Sequence, residues 1–163
     1  MKQVKFKTNS ISSDEYFLVS EEDYERVILK EWRLQRGHKG SNYVREATHD
    51  GLSLHRFILE VEDSKIKIDH KNMNPLDNTR ENLRICDSSL NAANKKVQRG
   101  KKSSKYKGVF KRSSGKFRVI IGFKNKTIHC GQYDTEDEAA LVYNKKATEL
   151  FGEFANLNKV GDQ

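Results

Sequence analysis

The sequence predicts an α+β chain built from two small domains. Three observations lead there: a C-terminal set of short β-branched and aromatic runs, an apolar stripe at helical spacing behind them, and a polar basic stretch that separates both from everything before. A chain of 163 residues fits one ordinary domain or two small ones, which excludes a large enzyme core.

The runs at 106–111, 116–123 and 126–133 are broken by Ser113, Ser114 and Gly115 and then by Lys124 and Asn125, which predicts three antiparallel strands. In the middle run Phe117, Val119, Ile121 and Phe123 alternate with Lys116, Arg118, Ile120 and Gly122, so one face is core and the other partly cationic. Thr135 with Glu138 three residues later is a capping-box signal. Ala139, Ala140, Val142, Tyr143, Ala147, Leu150 and Phe151 then recur at helical spacing as far as Gly152. A helix laid on a three-stranded sheet buries that stripe and leaves the opposite sheet face open to a ligand. The stretch 94–104, Asn-Lys-Lys-Val-Gln-Arg-Gly-Lys-Lys-Ser-Ser, carries one aliphatic side chain. It reads as a boundary, giving an N-terminal domain at 1–97, a basic linker at 98–103 and a C-terminal domain at 104–159.

Lys and Arg number 31 against 23 Asp and Glu, a net charge of +8. Thirteen of the positive charges fall between Lys95 and Lys126 with no acidic residue among them, interleaved with Tyr106, Phe110 and Phe117. A one-signed block with aromatic residues in it points to a folded face that meets a polyanion. No stretch of about 20 apolar residues offers a membrane span, and the N-terminus lacks the apolar segment of a secretory signal. Cys86 and Cys130 form no CxxC pair, so neither structural zinc nor a disulfide framework is expected, and both read as small buried hydrophobes in a reducing compartment.

The N-terminal part holds the more informative constellation. Lys-Ile-Asp-His at 67–70 is followed by a polar loop with Asn72, Asn74, Asp77 and Asn78, with Pro75 at its turn, then by Glu-Asn-Leu-Arg at 81–84, and then by Asn91 and Asn94. Hydrolysis of a phosphodiester needs a divalent cation at the phosphoryl and leaving oxygens and a base to activate water. Hard cations such as Mg²⁺ take oxygen ligands, which Asp69 and the Asn91 amide can supply. His70 points to the other side of the strand end, and the unperturbed pKa of an imidazole lies near neutrality, which suits a general base. His55, before a helical run at 56–61, reads equally as a DNA or site contact and as a packed or surface histidine. His38 and His49 fall in polar turns and read as surface residues, and Asn94 as a helix-surface amide. Trp32 and the Tyr-Phe-Leu-Val run at 16–19 read as a small β-rich packing layer.

Two resemblances follow from these residues. The segment SKYKGVFKRSSGKFRVIIG, followed by HCGQYDTEDEAALVYNKKATELFGEFANLN, resembles the DNA-binding domain of the plant APETALA2 and ethylene-response-factor family over about 104–158. That domain also occurs fused to phage and bacterial endonucleases. The resemblance implies a sheet seated in the major groove of double-stranded DNA, with Lys107, Arg112, Arg118, Thr127 and His129 facing it and Lys111 and Lys116 beside them. Phe110, Ser114 and Gly122 stand where the plant domains usually carry Arg, Trp and Arg, which implies phosphate contact rather than the plant pattern of base reading.

The N-terminal constellation is similar to the HNH endonucleases with the ββα-metal fold, particularly the homing type. Asn82 and Asn91 follow His70 by twelve and twenty-one residues, as that small module spaces them. The resemblance implies His70 as base, Asp69 and Asn91 as ligands of Mg²⁺ or Mn²⁺, and Asn82 as a catalytic-loop brace. Together the two imply a monomeric, metal-dependent DNA endonuclease, cytoplasmic in a bacterial or phage-infected cell, without a small-molecule cofactor and targeted by its C-terminal domain. The alternative is a DNA-binding regulator whose nuclease site is vestigial. An RNA-binding module is weaker, because no RNP pattern or GXXG clamp occurs.

Overall fold

A computed structural model describes residues 1–6, 15–37, 42–94 and 103–161. The architecture is α+β, with small antiparallel sheets and four α-helices among the described residues. The chain divides into two compact units, residues 1–86 and 87–163. The division lies upstream of the 98–103 stretch expected as a linker, most of which falls outside the described residues. His38 also lies outside them.

In the first unit β1 (Lys2–Lys5) pairs antiparallel with β2 (Tyr16–Val19). Helix α1 (Glu21–Ile28) follows, then the hairpin β3 (Trp32–Arg36) and β4 (Asn42–Glu46), and helix α2 (Leu54–Leu59). Strand β5 (Lys67–His70) pairs antiparallel with β7 (Leu83–Cys86), and between them β6 (Asp77–Asn78) joins β2 in parallel. The apolar residues of these short elements meet in one core of Phe17, Val19, Val27, Trp32, Val44, Leu54, Ile58 and Leu83. Trp32 is its centre: buried, edge-on to Phe17, and with its indole N–H satisfied by the Val27 carbonyl at 2.8 Å. The expected packing layer around Trp32 and residues 16–19 is therefore this core.

A charge sits inside it. Asp23 on α1 is wholly buried, and its carboxylate takes Arg80 at 2.8 and 2.9 Å and Arg26 at 2.9 Å. Both guanidinium groups also donate to the Ile58 carbonyl at the end of α2, at 2.6 and 3.2 Å. The Arg80 backbone N–H donates to the Ser20 hydroxyl at 2.8 Å. One carboxylate thus fixes α1, α2 and the turn that leads into β7.

The second unit opens with α3 (Ser88–Asn94) and continues into β8 (Val109–Lys111), β9 (Phe117–Phe123), β10 (Lys126–Tyr133) and α4 (Glu136–Phe151). The three strands form one antiparallel sheet in the order β10-β9-β8, as the punctuation predicts. Val109, Val119 and Ile121 bury one face against Ala139, Ala140, Tyr143, Ala147 and Phe151 of α4. Thr135 caps that helix by accepting the Glu138 N–H at 3.2 Å, and Gly152 ends it. Gly108 has φ +72°, and a Cβ there would run into the Tyr143 ring, so only glycine lets the chain enter β8 so close to α4. Asn158 pins the same entry: its side chain accepts the Lys107 N–H at 2.7 Å and donates to the Lys107 carbonyl at 3.1 Å. Strand β8 stops short of the end of β9, and α3 packs there, with Ala93 in the core and Ser89 accepting the Lys124 N–H at 3.2 Å.

Removing the Asp23 carboxylate leaves Arg26 and Arg80 without their buried partner. Asp23→Ala should therefore cost the first unit about 1–3 kcal/mol. Urea unfolding followed by Trp32 fluorescence reads this directly, since Trp32 is the one tryptophan and belongs to that unit.

Candidate active site

The candidate site is built on the end of β5. Antiparallel register sets Asp69 opposite Arg84 and His70 opposite Leu83, so the two side chains leave the ribbon on opposite faces, as the sequence reading requires. Both are buried, at 8% exposure each. The Asp69 carboxylate receives Arg84 Nε at 3.0 Å and Nη2 at 2.8 Å, both on Oδ2. His70 Nε2 lies 3.2 Å from Asn78 Oδ1. The Asn78 amide is oriented by its own donation to the Pro75 carbonyl at 3.1 Å, which turns the oxygen to the ring. With an acceptor at Nε2, the neutral ring carries its proton there and its basic lone pair on Nδ1. Burial lowers the pKa of His70, opposed by the Asn78 bond and by the charges of Asp69 and Asp77.

Residues 71–82 hold this geometry through side chain to backbone bonds, the habit of Asn and Asp in turns. Asn72 Oδ1 accepts the Asn74 N–H, Asn74 Oδ1 the Leu76 N–H, and Asp77 Oδ1 the Thr79 N–H and hydroxyl. Pro75 occupies the second position of a turn closed by Asp77 N–H on the Asn74 carbonyl at 3.1 Å. Asn82 closes the loop from its far end. Its Oδ1 accepts the Asn72 N–H at 3.0 Å, its amide donates to the Asp77 carbonyl at 2.7 Å, and its backbone carbonyl accepts the Lys71 N–H at 2.9 Å.

The expected ligand Asn91 lies on α3, in the second unit, where its N–H donates to the Asp87 carbonyl at 3.0 Å. Among the described residues no three or more His, Cys, Asp or Glu side chains converge as a metal-binding group. Nor is any helix long and apolar enough to cross a membrane.

Two residues at the site, Asn78 and Arg84, have roles that the sequence alone does not assign, and His55, for which the sequence leaves two readings, lies beside His70. Asn78 was one amide among several in a polar loop, and only its near-complete burial singles it out. Arg84 was part of the Asn-Leu-Arg string; its partner became legible only through strand register. His55, on α2, meets the His70 ring edge-to-face at 5.6 Å between centroids, and the Tyr43 ring at 6.1 Å. Burial, with smaller contributions from His70 and Arg56, pushes the His55 pKa down to about 3.

The expected DNA-facing residues separate into two groups. Register places Phe110, Arg118, Ile120, Gly122, Thr127, His129 and Gln132 on the sheet face away from α4. Arg118, Thr127 and His129 therefore share the open face, and Arg118 Nε is buried there without a hydrogen-bond partner. Arg112 is exposed in the β8–β9 turn, and Lys116 pairs with Asp134 at 3.0 Å. Two lysines depart from the expectation. Lys111 stands opposite Phe117 and its ammonium lies over that ring at 6.0 Å, on the α4 side. Lys107 precedes β8 in a turn, and its ammonium donates to the Ala93 carbonyl of α3; burial brings its pKa down to about 8. Gly108 forces that turn, which takes Lys107 off the strand ladder. Of the cysteines expected to be buried, Cys86 is and Cys130 is half-buried.

A strand ending in Asp-His, an amide-braced loop and a returning strand are the parts of an HNH nuclease module. No family model matches the chain. It is, however, 32% identical over 180 aligned positions to an uncharacterized HNH endonuclease of Acanthamoeba polyphaga mimivirus, an alignment covering 98% of this chain and 94% of that protein. The chain belongs to the HNH endonuclease family.

His55 also makes the first unit acid-sensitive. Its folded pKa of about 3 lies below the ordinary histidine value of 6.5, so between those values the unfolded chain holds a proton that the folded chain does not. Stability is then complete above pH 6.5 and falls by up to about 1.4 kcal/mol per pH unit below it. Urea titrations at pH 7 and pH 5 should show this slope in the wild type and a shallower one in His55→Phe.

Proposed function

We propose that the chain is a metal-dependent DNA endonuclease of the homing type, with the first unit performing hydrolysis and the sheet of the second unit holding double-stranded DNA. The observation that carries this reading is the His70 imidazole, fixed by Asn78 at the end of an Asn82-braced loop, with Asp69 beside it in the chain. His70 Nδ1 takes a proton from water. The water oxygen bonds to phosphorus as the P–O3′ bond breaks, and the departing oxygen is protonated from solvent. Asn78 holds the tautomer that leaves Nδ1 basic, and Asn82 keeps the loop ends together while charge develops.

The donor chemistry fits a hard divalent cation, because Asp69 and Asn91 both offer oxygen atoms. Asp69 would hold Mg²⁺ or Mn²⁺ in the first unit, with Asn91 the further ligand that the family resemblance implies, and the ion would stabilise charge on the phosphoryl and leaving oxygens. A regulator with a vestigial site is favoured by one observation, the Arg84 guanidinium on Asp69 Oδ2, since a cation must share that carboxylate.

For the second unit, support comes from the open face. Arg118 presents a buried donor without a partner, His129 and Thr127 lie further along the same face opposite Ile120 and Gly122, and Arg112 is exposed at the turn adjoining Arg118. Lys107 and Lys111 are engaged elsewhere and carry less of the DNA contact than Arg112 and Arg118.

Incubation with supercoiled plasmid tests the enzyme. Mg²⁺-dependent nicking is expected from the wild type and none from His70→Ala, with DNA affinity in EDTA the same for both. Absence of nicking by the wild type in either Mg²⁺ or Mn²⁺ would leave the regulator.

Arg112→Ala and Arg118→Ala should each flatten the slope of log affinity against log salt by about one unit. Lys107→Ala and Lys111→Ala should change it less. Fluorescence anisotropy with a labelled duplex from low to moderate salt separates the four.

A further inference from the structure

We infer that His55 is a second substrate-contacting group of the nuclease site, donating a hydrogen bond from its neutral imidazole to a non-bridging oxygen of the phosphate on which His70 acts. The inference rests on the nuclease reading of His70 and adds to it a donor that the family motif does not name in this chain.

Position comes first. Helix α2 delivers His55 edge-to-face onto His70 at 5.6 Å between centroids, so a phosphate within reach of one ring is within reach of the other. The Tyr43 ring, 42% exposed, also meets His55, at 6.1 Å between centroids, and His55 itself is only partly buried. Satisfaction comes second. The side chain is partly buried, yet no described residue hydrogen-bonds to either of its ring nitrogens, and neither is sealed from solvent. Nitrogens open to solvent and without a protein partner can meet a ligand, which a phenylalanine in the same ring contact could not do. The neighbouring polar side chains are handled differently: Asn78, Asn82 and Arg84 each have named partners.

Chemistry comes third. A group meant to carry a proton must titrate near neutrality, and His55 is held neutral far below that range. A neutral imidazole still has one N–H to give. Such a donor is matched to a phosphoryl oxygen whose negative charge grows in the transition state, and its benefit appears in turnover more than in ground-state affinity.

Two variants separate the donor from the ring. His55→Phe keeps the edge-to-face contact and removes the N–H; His55→Gln removes the ring and keeps an N–H donor. With the full chain, supercoiled plasmid and Mg²⁺, His55→Phe should lower kcat about 10²-fold with little change in KM, and His55→Gln should recover part of the loss. Wild-type kcat in His55→Phe would overturn the inference. So would equal loss in both variants when their thermal melts match the wild type, since that outcome assigns the ring shape alone.

A second readout does not depend on cleavage. In EDTA, a short duplex should shift the His55 imidazole ¹⁵N–¹H resonance, and a resonance that stays in place at saturating duplex would reject the contact even where His55→Phe is slow or unstable. The underlying reading fails separately: cleavage by His70→Ala at the wild-type rate removes His70 from the chemistry whatever His55 does.

Discussion

The first unit is organised around a carboxylate that no solvent reaches. Asp23 would be costly to bury alone, and the fold meets that cost with two arginines drawn from different parts of the chain. The arrangement does more than neutralise a charge. Because Arg80 lies two residues before Asn82, its fixation at Asp23 and Ser20 determines where the loop re-enters β7, and so where Asn82 can reach Asn72 and Asp77. The register of β5 against β7 then orients Asp69 and His70 to opposite faces. Each step constrains the next through geometry, so an apolar substitute at position 23 could fill the space but could not aim Arg80.

How much of this the sequence disclosed depends on whether the signal was local. The three strands and helix of the second unit were legible because turns, alternation and a capping box are read over a few residues, and Thr135 with Glu138 forms the bond its spacing announces. The Asp-His pair and the Asn-rich loop were legible for the same reason. Long-range pairings were not. Asp23 reads as one acid in an acidic helical turn; its partner Arg80 is 57 residues away. Tyr43, His55 and His70 come from β4, α2 and β5, and nothing in their spacing predicts that they meet. The placement of Lys107 is not legible in the basic block, because the glycine beside it forces a turn that carries the ammonium to α3. The 94–104 stretch reads as a boundary by composition, but packing places α3 with the second unit, because Ala93 joins the core there.

The chemical character of the loop follows from the substrate proposed for it. A site that must admit a polyanion and yet be rigid cannot be braced mainly by carboxylates, which would repel the phosphate they are arranged around. Residues 71–82 solve this with amides. Asn72, Asn74, Asn78 and Asn82 provide acceptors for backbone N–H groups and for the His70 ring without adding charge. Of the nearby acids, Asp77 is spent on Thr79 and Asn72, and Asp69 faces the Arg84 guanidinium.

That last pairing has two consequences which pull in opposite directions. Arg84 gives the Asp69 carboxylate two charge-assisted hydrogen bonds at 8% exposure, where a carboxylate without a partner would be costly to bury, and so keeps an oxygen donor at the strand end. The same guanidinium competes with the cation for Oδ2. On the proposed reading the balance would turn with phosphate present, because substrate oxygens would add ligands for an ion and give Arg84 another anion to face. On the proposed nuclease reading, such a site would hold a metal weakly alone and more firmly once a phosphodiester is in place.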